Sequence, residues 1–143
     1  MATFSERLTD LMLEKEIKSH ELAAAIGVNT STVNDWRRGK FQVFLSNVLK
    51  LADFFDCSLE YLMGRSETEI DYDPQPCPFF YDRLIAVMTE KGFSTYRMRK
   101  ESPAKGAHLN KWKQGTDPLV PTLIAVADFL DVTLDYLVGR DCS

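Results

Sequence analysis

The residues from Ile26 to Gly39, IGVNTSTVNDWRRG, combine hydrogen-bonding, basic and aromatic side chains at helical spacing. Val33 and Trp36 are three apart, so they share one face and can point inward. Thr30, Ser31, Asn34, Asp35 and Arg38 fall on the other side. Asn29, Thr30 or Ser31 can cap the start of this helix by accepting from its free N–H groups. Gly27 suits a preceding turn with positive φ, and Gly39 a stop at the C′ position. The chemistry available is recognition rather than catalysis. The Asn34 amide can pair with adenine N6 and N7 together, and the Asp35 carboxylate can accept from cytosine N4. Arg37, Arg38 and Lys40 gather at the far end, where cations position a duplex through its phosphates without reading sequence. Trp36 lies on the apolar face and reads as a core anchor.

The elements that must hold this helix occur twice. Ala52–Arg65 (ADFFDCSLEYLMGR) and Ala127–Arg140 (ADFLDVTLDYLVGR) match at 9 of 14 positions, so the chain contains an internal repeat. Upstream, Phe4–Ile17 parallels Phe80–Phe93, and Trp36-Arg37-Arg38-Gly39 parallels Trp112-Lys113-Gln114-Gly115. The spacing predicts five short helices in each copy. In the first, Leu8, Leu11 and Met12 form an i, i+3, i+4 stripe; Leu22, Ala23 and Ile26 face inward from a helix starting near Ser19; Val48, Leu51, Ala52 and Phe55 do so from a fourth; Ser58 caps a fifth and Gly64 ends it. In the second, Ser94 caps helix two, Pro121 suits the first turn of helix four, Thr133 caps helix five and Gly139 ends it. No alternating strand pattern competes, which makes the fold class all-α. Ser66–Pro78, acidic and holding three prolines, reads as a linker between residues 1–65 and 79–143. Extended, it reaches roughly 40 Å.

Net charge is −4, which by itself argues mildly against a nucleic-acid partner. The distribution decides otherwise. Arg97, Arg99, Lys100, Lys105, Lys111 and Lys113 are opposed only by Glu101 in their stretch, and Lys18–Lys40 is also net positive. Basic faces on an acidic body suit phosphate. Cys57, Cys77 and Cys142 are odd in number and far apart, so they read as reduced thiols without a metal site. There is no Gly-rich phosphate loop, HExxH or GxSxG, so neither an enzyme nor a cofactor is expected. No apolar run approaches the ~20 residues that span a bilayer, and the N-terminus lacks the pattern of a signal peptide. A cytoplasmic protein is the expectation.

Ile17–Ala23, then Ile26-Gly27-Val28, then Val33, Trp36 and Gly39, then Leu51-Ala52 and Leu59–Gly64 resemble the lambda-repressor/Cro-like (Xre-type) helix-turn-helix family. The resemblance extends over both copies and implies two tandem five-helix domains whose third helix enters the major groove. By position in the family pattern, Thr30, Ser31, Asn34 and Asp35 would face the groove. Ser19 and His20 would lie near the backbone, where free N–H groups at a helix start can also hold phosphate. The second copy's equivalents are Thr95, Tyr96, Lys105, His108, Asn110, Lys111 and Lys113. That copy departs at the motif itself: Arg99 stands opposite Ala23, Ser102 opposite Ile26 and Pro103 opposite Gly27, with Gly106 as an alternative turn.

The expected function is a sequence-specific DNA-binding transcriptional regulator, of phage-type or bacterial repressor kind. Double-stranded DNA is its partner, and homodimerisation is what such regulators generally use. The competing class is a protein-interaction module, an antitoxin-like or anti-repressor-like adaptor on the same fold. Net acidity, Asp35, Pro103 and the Phe41/Phe44 loop favour it. Those two aromatics either form an exposed patch for a protein partner or tuck under helix four.

Overall fold

The computed structural model describes residues 2–142. Ten α-helices and no β-strand occur among them. The chain divides into two compact units, one up to Asp71 and one from Tyr72 onward.

In the first unit α1 is Phe4–Glu14, α2 Ser19–Ile26, α3 Thr30–Arg37, α4 Leu45–Phe55 and α5 Leu59–Leu62. Thr3 opens α1 through a reciprocal cap: its hydroxyl accepts from the Glu6 N–H, and the Glu6 carboxylate accepts from the Thr3 N–H, both at 3.2 Å. Phe4, Leu8, Leu11 and Met12 are buried along one face of α1. They meet Leu22, Ala23 and Ile26 from α2, Val33 and Trp36 from α3, and Val48, Leu51, Ala52 and Phe55 from α4 in one core. Burial of the leucine, isoleucine, valine, methionine and phenylalanine side chains among them stabilises by about 1.5–3 kcal/mol each. Gly27, at φ +77°, turns the chain between α2 and α3. Ser58 caps α5 by accepting from the Tyr61 N–H.

One buried arginine closes the unit. Arg7 of α1 is 5% exposed, its guanidinium 3.8 Å from the centre of the Tyr61 ring. It donates to the Ser66 carbonyl at 3.3 Å and lies 3.6 Å from the Glu67 carboxylate. The expected solvated linker thus begins with residues tied to the first unit. The Ser58 N–H also donates to the Glu69 carbonyl at 2.7 Å.

The second unit comprises α6 (Phe80–Glu90), α7 (Thr95–Glu101), α8 (Gly106–Lys113), α9 (Val120–Leu130) and α10 (Leu134–Val138). Ser94 and Thr133 cap α7 and α10, and Pro121 sits in the first turn of α9. Arg83 donates twice to the Tyr136 carbonyl, at 2.9 and 3.1 Å, and stacks on that ring. It joins the first and last helices of its unit as Arg7 does in the other. Tyr72 hydrogen-bonds the Asp135 carboxylate and accepts from Arg140 at 2.7 Å. Burial, then the Asp135 hydrogen bond, pushes the Tyr72 hydroxyl well above the usual tyrosine range.

The α7–α8 connection differs from the α2–α3 turn. Ser102 is extended and buried, and its hydroxyl both donates to the Ala104 carbonyl and accepts from the Ala104 N–H at 3.0 Å. This small loop replaces the left-handed glycine turn. Gly106 is not the alternative turn: it is the first residue of α8, with the Arg99 stem passing across it. Arg99 stays exposed, so no guanidinium is buried at the position of Ala23.

Helix α1 ends at a non-glycine residue with positive φ, Glu16 at +52°, where the corresponding end of α6 has Gly92 at +78°. Glu16→Gly therefore stabilises the first unit by roughly 0.5–1 kcal/mol. Gly64→Ala destabilises it, because a Cβ there would stand 1.9 Å from the Ala2 carbonyl oxygen. Urea unfolding followed by Trp36 fluorescence in a Trp112→Phe background checks both, the midpoint rising for the first and falling for the second.

Candidate nucleic-acid interface

Helix α3 shows how a short segment presents a polar face. Its eight residues bury only Val33 and Trp36. The Trp36 ring packs against Phe4 of α1 at 6.2 Å between centroids, and Phe4 in turn meets Phe41 at 5.9 Å. Asn29 is the N-cap residue but makes no side-chain cap bond, so the start of α3 is open. The other end is closed by a Schellman stop: the Gly39 N–H donates to the Trp36 carbonyl and the Lys40 N–H to the Asp35 carbonyl, with Gly39 at φ +102°.

The predicted residues of the first unit come together around this helix. Thr30, Ser31, Arg38, Lys40 and, at the start of α2, His20 are exposed; Asn34, Asp35, Arg37 and Ser19 are half-buried. Asn34 borders a shallow depression with Thr9, Arg37 and Arg38. Asp35 lines another with Thr32, Trp36, Lys40, Phe41 and Gln42. The two candidate base readers therefore line different depressions.

The cations divide by task. Arg37 donates from Nη1 to the Ser19 hydroxyl at 2.9 Å, and its carbonyl accepts from the Ser5 hydroxyl. It braces the end of α3 against α2 and α1. Arg38 and Lys40 lie 3.6 and 3.7 Å from the Asp35 carboxylate and remain largely in water. Ser5 and Thr9 were not among the expected residues. Ser5 is 32 positions from Arg37, and only the α1–α3 packing brings them together.

In the second unit Thr95, Tyr96, Lys105, Asn110, Lys111 and Lys113 are exposed on α7 and α8 or at the start of α8. Lys100 lies 5.3 Å from the centre of the Tyr96 ring. His108 is structural in part: its Nδ1 accepts from the Lys105 N–H at 3.2 Å, and its ring packs on Trp112. Trp112 is buried against Phe80 as Trp36 is against Phe4. Arg97 is engaged with Glu101 at 2.8 Å; that hydrogen bond lowers the Glu101 carboxyl and raises the guanidinium. Gly115 ends α8 with the same stop, at φ +99°.

Phe41 and Phe44 are 39% and 42% exposed. Phe41 leans on Phe4, while Phe44 is the N-cap of α4. Val43 and Leu45 beside them are buried, which leaves the aromatics at the surface.

Residues 7–67 match the family model of the Cro/C1-type HTH DNA-binding domain. The chain is also similar to the cryptic phage CTXphi transcriptional repressor RstR of Vibrio cholerae, at 35% identity over 68 residues. That stretch is 48% of this chain and 61% of the repressor, so the chain spans less than two thirds of that relative's length. The region that matches the helix-turn-helix family model contains α2 and α3, joined by the Gly27 turn.

The Arg37–Ser19 bond gives a stability prediction. Arg37→Ala and Ser19→Ala each lower the first unit's stability by about 1 kcal/mol, and the double variant loses less than the sum, with a coupling of roughly 0.5–1.5 kcal/mol. A double-mutant cycle on the Trp36 unfolding signal measures it. Strict additivity contradicts the brace.

Proposed function

We propose that the chain is a sequence-specific DNA-binding transcriptional regulator, of the repressor kind, that places α3 of its first unit in the major groove. The observation that carries this reading is the α3 surface. Asn34 opens between Thr9 and the Arg37–Arg38 end of the helix, with Thr30 and Ser31 exposed on the preceding turn. An amide in that position can pair with one base edge while the exposed guanidinium of Arg38 meets the backbone. The match of residues 7–67 to a DNA-binding domain and the repressor named among the relatives support the same reading.

The second unit, in this proposal, is a divergent copy of the domain. The same order of helices, the same glycine stop after a buried tryptophan and Asn110 on α8 support that. Its exposed Lys105, Lys111 and Lys113 grip phosphates, with Thr95 and Tyr96 at the start of α7 beside them. Two reading helices in one chain replace or extend the pairing of half-sites that dimeric regulators obtain from two chains. Ser19 and His20 approach the backbone at the start of α2. No cofactor enters, and the place of action is the cytoplasm.

A second reading is favoured by one observation, the surface position of Phe41 and Phe44. An aromatic pair beside the reading helix suits a protein partner that competes with DNA.

Asn34→Ala relaxes preference at one base position by about 1–3 kcal/mol while leaving scrambled DNA nearly unaffected. Arg38→Ala weakens binding to all sequences alike and lowers the salt slope by about one. Gel-shift titrations of the full chain on a selected site and its scrambled version separate the two. Equal losses from both variants on both DNAs reject the assignment.

A further inference from the structure

Helices α3 and α8 end in the same hydrogen-bonded stop, but its first carbonyl belongs to an acid, Asp35, in one and to a base, Lys111, in the other. In each, the residue after the terminal glycine donates its N–H to a carbonyl five positions back: Lys40 to Asp35, and Thr116 to Lys111, both at 3.0 Å. The stop folds that residue over the helix end. On α3 this brings Lys40 Nζ within 3.7 Å of the Asp35 carboxylate, which also holds Arg38 Nη1 at 3.6 Å. On α8 the same place has a lysine facing a threonine. The two helix ends have the same net charge: Asp35, Arg37, Arg38 and Lys40 in one, Lys111 and Lys113 in the other. They differ in the presence of an acid on the face offered to DNA.

An acid and a base five apart also close α5 and α10, as Glu60–Arg65 at 2.8 Å and Asp135–Arg140 at 3.7 Å. Those pairs are sheltered, with side chains 16% and 29% exposed in the first and 3% and 2% in the second. The cations around Asp35 are 72% and 71% exposed, so their pairing adds little to folding. Its effect falls on whatever approaches the surface.

We infer that Asp35 is a specificity-determining residue that acts by subtraction, an inference that rests on the DNA-binding reading above. Its carboxylate competes with phosphate for Arg38 and Lys40 and repels phosphate directly. That lowers affinity for every sequence. The loss is recovered only where a base-edge donor, the cytosine N4 amino group, stands opposite Asp35. Helix α8, with Lys111 at the equivalent place, has no such filter.

The test uses the full chain with Asp35→Ala and Asp35→Asn, changes at a half-buried side chain outside the apolar core. Fluorescence anisotropy titrations on a selected site and a scrambled one, at several salt concentrations, give both affinities, and thermal unfolding accompanies them. Both variants bind scrambled DNA roughly fivefold more tightly, with a salt slope steeper by about one, and the ratio of selected to scrambled affinity falls. An unchanged ratio, or equal weakening on both DNAs, overturns the inference while leaving the DNA-binding reading intact. A wild-type chain that prefers no sequence overturns that reading and this inference with it.

Discussion

The packing of Trp36 against Phe4 is the contact on which the α3 surface depends. A helix of eight residues is far too short to be stable alone. Val33 and Trp36 are its only buried side chains, so tertiary packing supplies nearly all of its order. Concentrating that packing in one large aromatic frees the remaining positions for hydrogen-bonding side chains. The glycine stop then bends the chain back, so that basic residues collect at the helix end instead of continuing along it. The Arg37 brace adds orientation, fixing the end of α3 against Ser19 and Ser5.

The two units solve this problem with the same parts and different surfaces. Each has a buried tryptophan on an aromatic of its first helix, and an arginine of that helix stacked on a tyrosine of its last. The turn ahead of the tryptophan-bearing helix differs between the two. In the first unit Gly27 makes it through a left-handed residue; in the second, Ser102 folds its hydroxyl onto Ala104. Arg99, standing where the first unit has a buried alanine, runs outward across the glycine that begins α8. The frame tolerates this because the side chains that fill the core, Met98, Leu109 and Trp112, keep their inward positions.

The helices were legible because apolar spacing, caps and glycine stops agreed with one another. Ser19–Ile26 is α2 as predicted, and Ser58, Ser94 and Thr133 cap as their positions suggested. Contacts between distant residues were not legible. Nothing in a pattern of spacing shows that Arg7 is buried on Tyr61, or that Arg37 spends a donor on Ser19. Long cations read as surface residues until a partner is brought to them. The acidic stretch after Arg65 misled for a related reason: charge and proline argue for solvation, but Glu67, Glu69 and Tyr72 each make specific contacts. Glycine permits a turn at Gly106, whereas the residue lies under an arginine stem.

The central claim is that α3 of the first unit reads base sequence. Selection of bound fragments from a random double-stranded DNA pool by the full chain tests it most directly. The account predicts enrichment of one short motif, with fixed positions for the bases opposite Asn34 and Asp35. A bound pool with the base composition and sequence diversity of the input would contradict it.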